Sequence, residues 1–151
     1  MIRRTVIGFG NLLMGDDGVG IQVVRLLADM NLPDDVELID GAVASFEVLS
    51  DARDAAEIII IDALAGGGQP GDLYQVSSEE LGETAHAGHF SIHQFSLTEA
   101  LHLVRQLGPM PPVVIYGIEP GTMDLGLELS APVASAARRA AGLIAAYLKE
   151  G

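Results

Sequence analysis

The chain has 151 residues, no cysteine and a formal net charge of −13. That length fits one domain with its own core. The missing cysteine excludes disulfides, thiolate metal sites and a cysteine nucleophile, and the acidic charge argues against nucleic acid and anionic lipid as partners. No apolar run approaches the ~20 residues of a membrane helix. Met1-Ile2-Arg3-Arg4 passes straight into a strand pattern, without the apolar stretch and cleavage site of a secretory signal. A cytoplasmic protein, not bound to membrane, is expected.

In chain order, the first strand pattern is Arg3 to Gly8, followed by Gly8-Phe9-Gly10 and the adjacent pair Asp16-Asp17. From Asp17 to Met30, Ile21, Val24, Leu27 and Ala28 fall on one helical stripe. Val36 to Asp40 reads as a second strand, and Ile58 to Asp62, with four consecutive isoleucines, as a third. Asp72 to Val76 is a fourth. Ser96-Leu97-Thr98-Glu99 has the form of a capping box ahead of Ala100, Leu101, Val104 and Leu107, and Gly108-Pro109 stops that helix. Val113 to Ile118 is the fifth strand, and Ser130 can cap a last helix running through Lys149. Continuous β-branched runs indicate strands buried on both faces. The alternation of strand and helix predicts one three-layer α/β domain over 1–151, a mostly parallel, twisted five-stranded sheet with helices on both faces. Ligands in such sheets gather at the carboxyl ends of the strands.

The opening glycines resemble a phosphate-binding turn, but the fingerprint's third glycine would fall at Leu13, and no P-loop lysine follows. Two carboxylates there would repel a pyrophosphate, so a tight turn and close backbone packing are the simpler reason for Gly8 and Gly10. One of Asp16 and Asp17 can cap the helix; the other is then free to face a site. Asp62 ends a strand of isoleucines, where a buried carboxylate is costly unless paired or metal-bound, although a turn residue before Gly66-Gly67-Gly68 would look the same. His86, His89 and His93 lie in a glycine-bearing stretch whose spacing matches no strong zinc motif, and His102 falls inside a helix. His89 and His93 would share a face only if that stretch were helical. No Gly-x-Ser-x-Gly elbow occurs, and Ser45, Ser91 and Ser96 read as caps or loop residues. Hydrolysis by this chain would therefore need a metal. Two carboxylates and an imidazole suit zinc, nickel, iron or manganese.

Five ordered blocks, spread over nearly the whole chain, resemble the maturation endopeptidases of NiFe-hydrogenases. Gly8-Phe9-Gly10-Asn11-Leu12-Leu13 through Asp16-Asp17-Gly18-Val19-Gly20 is similar to that family's G-x-G-N-x-L-x-x-D-(D/E)-x-x-G signature. Ile39-Asp40-Gly41, Ile60-Ile61-Asp62-Ala63, His93-Gln94 and Tyr116-Gly117-Ile118-Glu119-Pro120 resemble its later blocks.

The resemblance implies a five-stranded α/β fold and a ligand set of Asp17, Asp62 and His93, with Asp17 where the family has Asp or Glu. Asp16 is then left to cap or position the helix. The implied activity is removal of the C-terminal extension of a hydrogenase large-subunit precursor after nickel insertion. Nickel is supplied by the substrate, and no permanently bound metal is expected. The loop around Asp40 and Gly41 is expected to border the cleft. The family often continues it as Gly-Thr-x-Gly, whereas this chain has Ala42-Val43-Ala44-Ser45. The alternatives are a nickel-sensing chaperone that binds without cutting, and another metallohydrolase on the same fold.

Overall fold

The computed structural model describes residues 3–80 and 95–150, with Phe95 and Ser96 described by backbone alone. His86, His89, Ser91, His93 and Gln94 lie outside the described residues. The strands are β1 (Arg4–Phe9), β2 (Val36–Ala42), β3 (Glu57–Ala63), β4 (Leu73–Ser77) and β5 (Val113–Ile118); the helices are α1 (Val19–Ala28), α2 (Ser45–Asp51), α3 (Phe95–Gln106) and α4 (Ala131–Glu150). A 3-10 turn, Gly15–Gly18, leads into α1.

The strands form one sheet in the order β2-β1-β3-β5-β4. All neighbours are parallel except the edge pair β4 and β5. The four isoleucines of β3 are buried and divide by the pleat. Ile59 and Ile61 join Val6, α1 and α4 in one core, while Ile58 and Ile60 join Ile7, α2 and α3 in the other. This is the expected three-layer arrangement. It explains why β3 lacks polar alternation: each of its faces has a helical layer to cover it.

The order also locates the cleft. From β1 the chain crosses to β2 by α1 on one face. It then returns past β1 to β3 by α2 on the other face. Between β1 and β3 the winding reverses, and crevices for ligands open at the carboxyl ends of strands at such a point.

Three helix boundaries differ from the sequence expectation. The first helix starts at Val19, because the chain from Gly15 to Gly18 is wound more tightly as the 3-10 turn. Phe95 is already helical, so Ser96 is not the boundary residue of α3. A short helix, α2, begins at Ser45 where a cap or loop was expected; it covers the β1–β3 face through Leu49. Only Leu49 among its seven residues is buried, too little for a periodic signal.

The glycines of the first segment serve packing. A Cβ on Gly8 would lie 2.3 Å from the Gly20 carbonyl oxygen, and one on Gly20 would lie 2.2 Å from that of Ile61. The start of α1 thus rests backbone to backbone on β1 and β3. Gly20→Ala is expected to destabilise the protein by about 3 kcal/mol or more, because the clash is with main chain that cannot rotate away. A lowered urea midpoint with an unchanged m-value is the signature to look for.

Candidate functional site

After β1 the chain turns at Gly10, whose φ is 132°. A Cβ there would lie 1.9 Å from the Asp17 carbonyl oxygen. This contact folds the segment 10–17 back on itself. The Asn11 N–H donates to Asp17 Oδ2 at 3.1 Å, and Asn11 Oδ1 accepts from the Leu13 N–H at 2.9 Å. Asp17 is therefore held by its own loop.

Asp62 arrives from β3, paired in register with Gly117 of β5. Its Oδ1 accepts the Ala63 N–H at 2.8 Å. Burial pushes its carboxyl up to about 8, the Ala63 N–H acts against this, and the neighbouring Asp17 charge adds to the rise. At neutral pH Asp62 holds a proton that an ordinary aspartate would have lost.

Asp17 and Asp62 line the same cavity, about 320 Å³ in volume, with Phe9, Met14, Val43, Leu97 and Met123 supplying apolar walls. The Asp17 charge opposes ionisation of Asp62; a cation beside Asp62 would act the other way. Among the described residues no three His, Asp or Glu side chains group as a metal site. His93 lies outside the described residues, four positions before Leu97 of the cavity wall.

Asp40 and Gly41 sit differently from expectation. Asp40 belongs to β2, as the strand pattern has it, and the strand runs on through Gly41 to Ala42. Asp40 is exposed and its Oδ1 accepts the Ala42 N–H at 3.0 Å. Gly41 is buried where a Cβ would strike the Phe9 ring. The residues that reach the cavity are Ala42, Val43 and Ser45, just beyond them. Ala42 takes a left-handed φ of 46°, uncommon for a residue with a Cβ, and its carbonyl accepts the Gly10 N–H at 2.8 Å. His102 is exposed on α3, with its Nε2 3.0 Å from Gln106 Nε2.

For Asp16 the sequence left capping or positioning the helix, and the structure excludes the first. Asp16 does not cap α1, whose N-cap Gly18 receives no side-chain bond. It is fully buried, and its carboxylate accepts the N–H groups of Gly121, Thr122 and Ser130 and the Ser130 hydroxyl, at 2.7–2.8 Å. Ser130 precedes α4; its carbonyl accepts the Ala134 N–H and its hydroxyl donates to Asp16. Burial alone would raise the Asp16 pKa; the donors from Thr122, Ser130 and Gly121 outweigh it and leave the carboxyl below its usual range.

Glu119 is a second buried acid with a structural task. Its Oε1 accepts the Gly66 and Gly68 N–H groups and the Tyr74 hydroxyl, which pins the glycine loop after β3. Burial and the Glu119 carboxylate push the Tyr74 phenol up to about 12, so it stays a donor.

Two titration effects are expected. Asp16 contributes stability above the ordinary carboxylate pKa of 3.8, lost as pH falls through its lowered folded value. Asp16→Ala should cost about 3–5 kcal/mol at pH 7, by leaving buried donors unmet, and less in acid; denaturant melts at both pH values measure it. Asp62 has the opposite sign. Its raised folded pKa removes stability as pH climbs from about 4 toward 8. Asp62→Asn should therefore raise Tm, by an amount that grows between pH 5 and pH 8 and then levels off.

Known proteins place this arrangement. A family model described as hydrogenase maturation protease matches residues 21–147. A putative hydrogenase maturation protease of Methanocaldococcus jannaschii is 35% identical over 149 residues, 96% of each chain. Among solved structures, the hydrogenase maturating endopeptidase HybD from E. coli superposes with a TM-score of 0.85 at 30% identity, covering 99% of this chain and 93% of that one. The NiFe-hydrogenase maturation protease HybD from Thermococcus kodakarensis gives 0.82 at 26% identity, over 97% and 99%. Matches in sequence and in fold over nearly the full length, on a chain that brings Asp17 of the turn before α1 and Asp62 of β3 to one cavity, lead to one assignment: the chain belongs to the hydrogenase maturation protease family.

Proposed function

We propose that this chain removes the C-terminal extension of a NiFe-hydrogenase large-subunit precursor, and that it does so on precursor already carrying nickel. The observation that supports this reading is the meeting of Asp17 and Asp62 in one cavity at the winding reversal. They come from separate segments, each fixed by backbone hydrogen bonds. Such a pair is poorly stable as two bare anions and well suited to an arriving divalent ion.

In this reading the nickel belongs to the substrate. Asp17, Asp62 and His93 take up its open coordination positions, and the ion polarises the scissile carbonyl or the attacking water. Asp62 gives up its proton as the cation arrives, since metal ligands must be deprotonated. One of the two carboxylates then accepts the proton of the attacking water, and the amine of the released extension takes a proton as the peptide bond breaks. Precursor without nickel lacks the interaction that seats the bond, so it is passed over. Among the described residues no helix is long and apolar enough to cross a membrane.

The test is to incubate the protein with nickel-loaded and nickel-free precursor and follow the loss of mass. Cleavage is expected only with nickel present. Tight binding without cleavage would instead identify a chaperone, and equal cutting of free peptides a general hydrolase. Asp17→Ala and Asp62→Ala should each lower processing by about two orders of magnitude while circular dichroism stays native. Full activity in Asp62→Ala would sink the ligand assignment. Because the Asp62 proton competes with metal, Ni²⁺ titrated into the protein alone should bind more weakly at pH 6 than at pH 8.5.

A further inference from the structure

Beside the cavity, two loop segments are joined by a single β-bridge. Met14 and Gly126 form a parallel bridge. It is closed by the Gly15 N–H on the Gly126 carbonyl and the Gly126 N–H on the Leu13 carbonyl, both at 2.8 Å. Asp16 fastens the second segment at both ends, through Gly121 and Thr122 before it and Ser130 after it. Met14 and Met123 line the cavity, whereas Leu13, Leu125 and Leu127 stand 56%, 83% and 69% exposed. Gly126 puts no side chain between the last two. The outcome is an apolar ridge at the rim of the cleft, flanked by exposed Asp124 and Glu128.

Single exposed leucines are ordinary, but a group of them on a fixed backbone marks a contact surface. These three leucines leave most of their surface to solvent, so little of the fold's stability accounts for them. We propose that the ridge is the docking surface for the folded body of the precursor, engaging an apolar patch bordered by Lys or Arg next to the segment that is cut. This rests on the function proposed above. The ridge and the cavity share a backbone, so one partner can occupy both. Asp124 and Glu128, on a chain of net charge −13, favour a basic border and disfavour both an anionic membrane and a second copy of this chain. Three leucines also fall well short of the ~800 Å² per partner of a stable interface, but they suffice as an extension of an occupied cleft.

The test compares wild type, the double variant Leu125→Asp/Leu127→Asp and a control, Leu143→Asp, on the 56% exposed Leu143 of α4. With nickel-loaded precursor the double variant should raise KM about tenfold with kcat retained, and the control should change neither. Thermal melts verify the fold, and Leu13→Ser, made alone, should move KM the same way. Raising salt should raise KM for wild type, since the border is charged. If wild type cuts the loaded precursor and the double variant does so with unchanged KM, the docking proposal is overturned while the function stands. If wild type leaves the loaded precursor intact, the function fails; loss of precursor binding by the double variant, measured by interferometry, still reads the ridge. A dimeric wild type made monomeric by the double variant, with KM unchanged, would make the ridge a self-contact and overturn the proposal.

Discussion

The Asp16 carboxylate holds the working end of the molecule together. One buried anion gathers the donors of Gly121, Thr122 and Ser130. Its neighbour in sequence is Asp17, and the segment it gathers carries Met123 and leads into α4. The turn that presents a carboxylate to the cavity and the segment that walls its far side are thus one piece. Charge-assisted hydrogen bonds are about twice as strong as neutral ones, and here they act across more than a hundred residues of sequence. The energetics differ from those of Asp62. Asp16 is rewarded with donors for its charge, whereas Asp62 has the Ala63 N–H and a like-charged neighbour.

That contrast separates support from chemistry. Four acids, Asp16, Asp17, Asp62 and Glu119, sit at the carboxyl end of the sheet with reduced exposure or full burial. Asp16 and Glu119 are satisfied by backbone donors and hold loops in place. Asp62 is left under-compensated beside a cavity, and groups whose environment works against their charge are those that gain most from an incoming cation. A carboxyl of this kind suits a protein whose cation is proposed to come with the substrate.

Much of the architecture was legible in the chain. The isoleucines of β3 and the β-branched run of β5 disclose strands with two covered faces, and the helical spacing of Val133, Ala137, Ala140, Ile144 and Leu148 discloses α4. The short helix α2 was not legible, because one buried leucine sets no period. For the site, position alone left Asp62 balanced between turn residue and functional acid, and left the division of labour between Asp16 and Asp17 open. The matched blocks chose between them. No local pattern could show that Asp16 meets Ser130, since that contact belongs to the folded chain. Nor could it show that Ala42 and Val43, instead of Asp40 and Gly41, reach the cavity, because the strand runs on to Ala42. The glycines misdirect for a physical reason: phosphate cradles and tight backbone contacts both demand a missing Cβ, so the residue type is shared while the cause differs.

The contact of Gly10 with the Asp17 carbonyl bears on the length of the side chain at position 17. Main chain pressed against main chain has no rotamers to adjust, so the turn cannot lean toward a ligand. The carboxylate can move only by its own side-chain torsions, and aspartate has one fewer than glutamate. For an ion held by Asp17 as proposed, whatever separation a longer acid would have bridged would be closed by the depth at which the ion settles. Ionic position, rather than loop movement, would then be the adjustable quantity at this end of the site.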